Sequence, residues 1–130
     1  MNIIVAGSRT FTNFPLLVAT CDTVIRECYP NLPIKIIEGG AKGADLLGRR
    51  YAELRKYEVE TFPAQWSVYG KAAGYKRNEQ MAEVSQALIA FWEKESRGTK
   101  HMIDIAKRKG LRVFVLRIKD DGLPELFESK

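Results

Sequence analysis

The sequence predicts an α/β domain built on a doubly wound parallel sheet, five strands with helices on both faces, and three observations carry that expectation. Five short runs rich in apolar and β-branched residues recur along the chain, at 2–6, 34–37, 58–62, 87–92 and 111–116. Four segments with apolar residues at helical spacing alternate with them. Glycine or proline punctuates most of the junctions. Continuous apolar runs belong to strands covered on both faces, and a strand–helix–strand rhythm calls for parallel strands joined by right-handed crossovers.

The elements follow in order. Asn2 to Ala6 reads as a central strand that stops at Gly7-Ser8-Arg9. Leu17, Cys21, Val24, Ile25 and Cys28 recur at helical spacing from Phe14 to about Tyr29, with Pro15 placed where a first turn tolerates it. Pro30 and Pro33 end that helix, and Ile34 to Ile37 forms a second strand running straight into Glu38-Gly39-Gly40-Ala41-Lys42-Gly43-Ala44-Asp45. A second helix, marked by Leu46, Leu47, Tyr51, Ala52 and Leu54, extends to about Lys56, and Glu58 to Phe62 is the third strand, closed by Pro63. Ala64 to Gly70 is expected to be irregular and to lead into a helix ending near Ser85, with Arg77 and Asn78 close to its start. Ala87 to Trp92 is the fourth strand, Glu93 to Arg97 a polar loop, and Gly98-Thr99 opens a helix that Gly110 stops. Leu111 to Leu116 is the fifth strand, and 117–130 reads as a polar tail with one apolar patch at Leu123, Leu126 and Phe127.

A chain of 130 residues without internal repeat, low-complexity segment or linker reads as one domain, 1–130, large enough to bury a core unaided. Its 21 Lys and Arg against 16 Asp and Glu leave a formal +5, which favours anionic partners without identifying one. The two cysteines, Cys21 and Cys28, fall on one face of one helix and cannot readily bridge each other there. With His101 the single histidine and no Cys-x-x-Cys spacing, the pattern supports neither a metal site nor a bound cofactor, and free thiols point to the cytoplasm. The apolar N-terminal run is too short and lacks the basic leader of a signal peptide, and no segment reaches the ~20 apolar residues of a membrane span, so no membrane partner is expected.

In doubly wound sheets ligands bind outside the carboxyl ends of the strands, where the strand order switches. That rule selects Gly7-Ser8-Arg9, the stretch from Glu38 to Asp45, the region from Trp66 to Arg77, and Gly98-Thr99-Lys100. Gly39, Gly40 and Gly43 allow close backbone approach, the helix that follows aims N–H groups and its positive dipole end at the turn, and Lys42 adds a cation, a combination that suits a phosphate. The spacing matches neither the P-loop nor the dinucleotide fingerprint. Arg9 can grip a phosphate or carboxylate with two parallel hydrogen bonds, and the Ser8 hydroxyl can donate to the same anion or cap a turn. Arg77 and Asn78 bring a guanidinium and an amide to the same edge, although Asn78 also suits a helix cap. Gly98 and Thr99 repeat the loop-to-helix geometry, with Thr99 as a plain cap the simpler role. Asp45 in a first helical turn gains from the dipole whatever its function. Trp66, Tyr69 and Tyr75 can stack on a base or pack their loop down, Glu38, Glu79 and Glu93 are the acids placed for proton transfer, and His101 reads as an exposed helix residue.

Taken together, Gly7-Ser8-Arg9, Gly39-Gly40-Ala41-Lys42-Gly43-Ala44-Asp45, Gly74-x-x-Arg77-Asn78-x-x-Met81 and Gly98-Thr99 resemble the SLOG superfamily, which groups DNA-processing protein A with the LOG phosphoribohydrolases. Phe62 to Trp66 and Gly70 to Gly74 are similar to phrases of its small YpsA-related branch, and the resemblance spans about 2–116. It implies a Rossmann-like domain, a homodimer in relatives, and a nucleotide or ADP-ribose-like ligand at the strand ends. LOG enzymes hydrolyse the N-glycosidic bond of nucleoside 5'-monophosphates with an arginine and a glutamate. Arg77 resembles that arginine, but Met102 stands at the glutamate's place, so Glu38 or Glu93 would have to substitute for hydrolysis to occur. The resemblance to DNA-processing protein A implies single-stranded DNA as the alternative partner.

Overall fold

The computed structural model describes residues 1–130 and contains one six-stranded sheet in the order β3-β2-β1-β4-β5-β6. The strands are β1 (Asn2–Gly7), β2 (Lys35–Glu38), β3 (Glu58–Thr61), β4 (Ala87–Glu93), β5 (Arg112–Ile118) and β6 (Pro124–Ser129). The helices are α1 (Phe14–Cys28), α2 (Ala44–Arg55), the single turn α3 (Trp66–Tyr69), α4 (Ala73–Glu83) and α5 (Arg97–Arg108). β1 to β5 are all parallel, and β6 alone runs antiparallel, against β5.

Successive residues of β1 feed two different cores, as a pleated strand covered on both faces requires. Ile3 and Val5 pack with Leu17, Cys21 and Val24 of α1 and with Leu47 and Tyr51 of α2. Ile4 and Ala6 point the other way, to Met81 of α4 and to Met102, Ile103 and Ala106 of α5. Ile3, Ile4 and Val5 are all fully buried, each worth about 1.5–3 kcal/mol of apolar transfer. Asn13 caps α1 by accepting from the Leu16 N–H at 3.1 Å, two residues before the proline of the first turn. Gly48 keeps α2 close to the sheet, since a Cβ there would lie 2.7 Å from the Val5 side chain.

Two segments differ from expectation. The polar tail is a hairpin: β5 continues to Ile118, a turn at Lys119–Leu123 holds Gly122 at φ +81°, and β6 pairs Phe127 with Val115. Two cross-strand ion pairs, Arg112–Glu128 at 2.9 Å and Lys119–Glu125 at 3.0 Å, hold it. The Asp121-Gly122 pair is the turn signal that marks it in the sequence. The second segment, Ala64 to Gly70, includes a helical turn in which Val68 and Tyr69 N–H both donate to the Gln65 carbonyl at 3.0 Å. None of its helical residues is buried, so no apolar periodicity could announce it. A 3-10 turn over Gly70–Ala72 joins it to α4. No helix is long and apolar enough to cross a membrane.

Candidate functional site

The chain leaves β1 through α1 toward β2 on one side, and from β3 it crosses to β4 on the other. The connections leaving the carboxyl ends of β1 and β4 therefore run to opposite faces of the sheet, and a cleft of about 440 Å³ opens beside these strand ends. Ala6, Gly7, Ser8 and Arg9 line it from β1, Glu93 from β4, Trp66 and Arg77 from the α3–α4 arm, and Gly98, Thr99 and Met102 from α5. Five basic side chains (Arg9, Lys71, Arg77, Lys94, Arg97) face three acidic ones (Asp45, Glu93, Glu95).

The turn after β1 is clamped to β4 at two points. The Ser8 N–H donates to the Phe91 carbonyl at 2.9 Å, and the Ser8 hydroxyl donates to the Glu93 carbonyl while accepting from the Glu93 N–H, both at 3.0 Å. The hydroxyl proton is thus engaged by the backbone. Gly7 is required by space, because a Cβ would overlap the Phe91 carbonyl oxygen. Arg9 is exposed at the cleft lip, with no ion pair.

Arg77 crosses from α4 to the end of β2. Its Nη1 donates to the Gly39 carbonyl at 2.6 Å and its Nε to Asn78 Oδ1 at 3.1 Å, which leaves Nη2 without a protein partner. Gly39 makes this possible, since a Cβ would collide with Nη1 and lie 2.7 Å from Asp45 Oδ2. Asn78 lies in the second turn of α4, buried, and is not a cap. Its Nδ2 donates to the Gly98 carbonyl at 3.4 Å and meets His101 Nδ1 at 3.1 Å. If Asn78 donates, Nδ1 is the acceptor and the imidazole is neutral; burial, the leading cause, lowers the His101 pKa in the same direction. His101 is only partly exposed, its ring tilted at 44° against Tyr75 with 4.4 Å between centroids, and not the free surface residue expected.

At the start of α5 the cap is Ser96, which accepts from the Thr99 N–H at 3.3 Å and shares a 2.6 Å hydroxyl–hydroxyl bond with Thr99. Thr99 is inside the first turn and buried.

The glycine stretch is arranged differently from an open phosphate cradle. The Gly40 N–H donates to Glu38 Oε1 at 2.6 Å, Ala41 N–H to Asp45 Oδ2 at 3.3 Å, and Ala44 N–H to the Ser8 carbonyl at 3.3 Å. Gly43, at φ +80°, presses on the Ser8 and Arg9 carbonyls where a Cβ would overlap them. Of this stretch only Ala41 and Asp45 line the cleft, while Gly39, Gly40, Lys42 and Gly43 stand behind or beside it. Glu38 is fully buried beneath the turn, accepting from Gly40 and from the Thr61 hydroxyl, away from the lining. Asp45 is the buried acid of the cleft. Burial pushes its carboxyl up to about 6, against the opposing pull of Arg77 and the Ala41 N–H, while Glu38 adds a smaller push upward.

Lys71, Lys94, Ser96 and Arg97 join the lining without having been singled out as ligand residues in the sequence. The strand-end rule that selected Gly7 to Arg9 applies equally to the Glu93–Arg97 loop after β4, and that was the available signal. No cluster of three or more His, Cys, Asp or Glu side chains has the geometry to hold a metal ion.

A largely parallel sheet in this strand order, with a cleft at the β1/β4 switch, defines a Rossmann-like α/β domain. Sequence comparison makes the assignment specific. The chain belongs to the YspA, cpYpsA-related SLOG family (YAcAr), whose model matches residues 1–69. That match takes in Gly7 to Arg9, the glycine stretch and Trp66, whereas Arg77, Asn78, Gly98 and Thr99 lie beyond it. No curated protein matches the chain.

Proposed function

We propose that this domain senses or sequesters a nucleotide or a nucleotide-derived phosphorylated ligand of the ADP-ribose kind in the β1/β4 cleft. The observation that carries the reading is Arg77: its guanidinium is fixed by Gly39 and Asn78, yet Nη2 is left free in a cleft that also holds the first turn of α5. A pre-oriented guanidinium and a helix N-terminus are the two commonest protein groups for a phosphate. Arg9 at the lip adds a second fork, and the exposed rings of Trp66 and Tyr75 line the same cleft, where a base can stack on them. Membership of the SLOG superfamily, nucleotide-related in general, agrees with this reading.

Binding without turnover is favoured over N-glycosidic hydrolysis by two residues. Met102 lines the cleft where LOG enzymes carry a glutamate and offers neither charge nor proton, and both carboxylate oxygens of Glu38 are occupied by Gly40 and Thr61.

Calorimetry with AMP, ADP-ribose and a single-stranded oligonucleotide, on the parent protein and on Arg77→Ala, tests the proposal. A saturable mononucleotide or ADP-ribose signal that Arg77→Ala weakens at least about tenfold supports it. Equal heats for the two proteins remove Arg77 from the site. Oligonucleotide binding that falls steeply with salt, with none for the small ligands, replaces the reading by a single-strand one.

A further inference from the structure

Asp45 is an unusual wall for an anion site. It is 5 % exposed, it lines the cleft, and no basic side chain lies within ion-pair distance of it. Its carboxyl accepts from the Ala41 N–H onto Oδ2, with the Gly39 N–H also directed at it, and Arg77, the cation nearest in effect, directs its own bonds to Gly39 and Asn78 instead. The charged groups acting on it most directly are Arg77 from α4 and Glu38 from the end of β2, and Arg9 after β1, Glu93, Lys94 and Glu95 at the end of β4, Lys71 ahead of α4 and Arg97 at the start of α5 line the same cleft. An anion held on Arg77 Nη2 would stand on a guanidinium whose Nη1 converges with Asp45 Oδ2 on the same side of Gly39, close to the carboxylate though not paired with it. Two like charges in one low-dielectric site do not both persist, and the carboxylate is the group that can be neutralised by a proton from solvent.

We infer that Asp45 takes up one proton when an anionic ligand enters the cleft, so that its carboxyl becomes a hydrogen-bond donor to the ligand and affinity rises as pH falls. This rests on the cleft being the ligand site proposed above. It assigns Asp45 a role as a proton-linked specificity residue: the site accepts an anion at the cost of a proton, and a neutral ligand such as a nucleoside gains nothing from acid. In the free protein burial holds the carboxyl near 6, so it is mostly ionised at neutral pH and has a proton to gain. An anion within about 4–6 Å raises a carboxyl by about one to two further units. Affinity then rises about 8- to 50-fold between about pH 8 and pH 5.

The probe is ADP-ribose, which unlike AMP carries no phosphate monoester titrating near about pH 6. Binding to the parent protein is measured by calorimetry across that range, in pairs of buffers with different ionisation heats, and repeated on Asp45→Asn and with adenosine. The expected result is a buffer-dependent heat corresponding to about 0.4 to 0.8 proton absorbed per ligand near about pH 7, absent for adenosine, with Asp45→Asn binding ADP-ribose independently of pH and buffer. Parent binding that is independent of pH and buffer overturns the inference and leaves the cleft reading standing. PH-linked binding that survives in Asp45→Asn overturns it as well, by placing the proton elsewhere. No binding of ADP-ribose, AMP or inorganic phosphate at any pH overturns both. The buffer-pair measurement on the parent needs no variant, so an unfolded Asp45→Asn protein does not remove the test.

Discussion

Replacing Asp45 by asparagine should stabilise the ligand-free protein above neutrality, and the size of the gain follows from burial. The carboxyl stands at about 6 against an ordinary value of 3.8, a raised folded-state pKa. For a group shifted this way, stability is full below the unfolded value and is lost as pH rises through the folded one. Two units correspond to about 3 kcal/mol at 1.36 kcal/mol per unit. Asparagine keeps an oxygen for the Ala41 N–H and abolishes the charge, but its amide N–H groups need partners, a constant cost of about 1 kcal/mol that does not vary with pH. The difference in unfolding free energy between variant and parent should therefore climb by about 3 kcal/mol from about pH 4 to pH 8 and level off above about 7. With an unfolding entropy of about 2.1 cal/mol/K per residue, a net gain of about 2 kcal/mol is a rise of about 7 °C in Tm at pH 8. Urea titrations at a series of pH values, with calorimetric scans at the two ends, measure both quantities. A difference that stays flat with pH, or that falls as pH rises, would refute the reasoning, because it would mean the carboxylate is not penalised where it sits. A gain would also mark Asp45 as a residue whose ionised form is retained against stability.

Four further outcomes follow from the packing. Gly39→Ala should displace the Arg77 guanidinium and press on the buried Asp45 carboxylate 2.7 Å from its Cβ, so it should lower stability in urea unfolding and lose ligand binding to about the extent of Arg77→Ala in the same calorimetric panel. Gly7→Ala should be far worse, because the overlapped atom is the Phe91 backbone oxygen between the two central strands; loss of about 3 kcal/mol or more in urea unfolding is expected. Asp22→Asn weakens the pairs to Arg55 at 2.6 Å and Tyr51 at 2.7 Å, and because those partners hold the Asp22 pKa low, chiefly Arg55, its cost should be present at neutral pH and fade as pH falls below the ordinary carboxylate range. At about a third exposure the pair is worth no more than about 1 kcal/mol. Deleting 120–130 should lower Tm and promote concentration-dependent aggregation by light scattering, since it exposes the β5 edge that β6 now covers.

Much of the architecture was legible because its signals are local. Apolar runs of strand length, helical periodicity and proline or glycine stops placed β1 to β5 and the four long helices within a few residues. The α3 turn and the β6 hairpin were missed for opposite reasons. The first buries nothing and carries no pattern, while the second hid its Asp-Gly turn among charged residues whose pairing with β5 is a long-range fact.

The sequence by itself determined a parallel α/β sheet and the residue types gathered at the strand-end edge where the cleft opens: a basic set with one arginine after β1 and another in α4. What each of those residues does was decided by the tertiary structure. Glycines announce that something comes close without saying what, and here the close neighbours are protein: the Phe91 carbonyl at Gly7, the Ser8 and Arg9 carbonyls at Gly43, and the Arg77 guanidinium at Gly39. The stretch that reads as a phosphate cradle has three of its N–H groups committed to Glu38, Asp45 and Ser8, and its role is to seat Arg77 and to bury Asp45. Hydrogen-bond partners and burial set those roles, and both depend on which strands lie side by side.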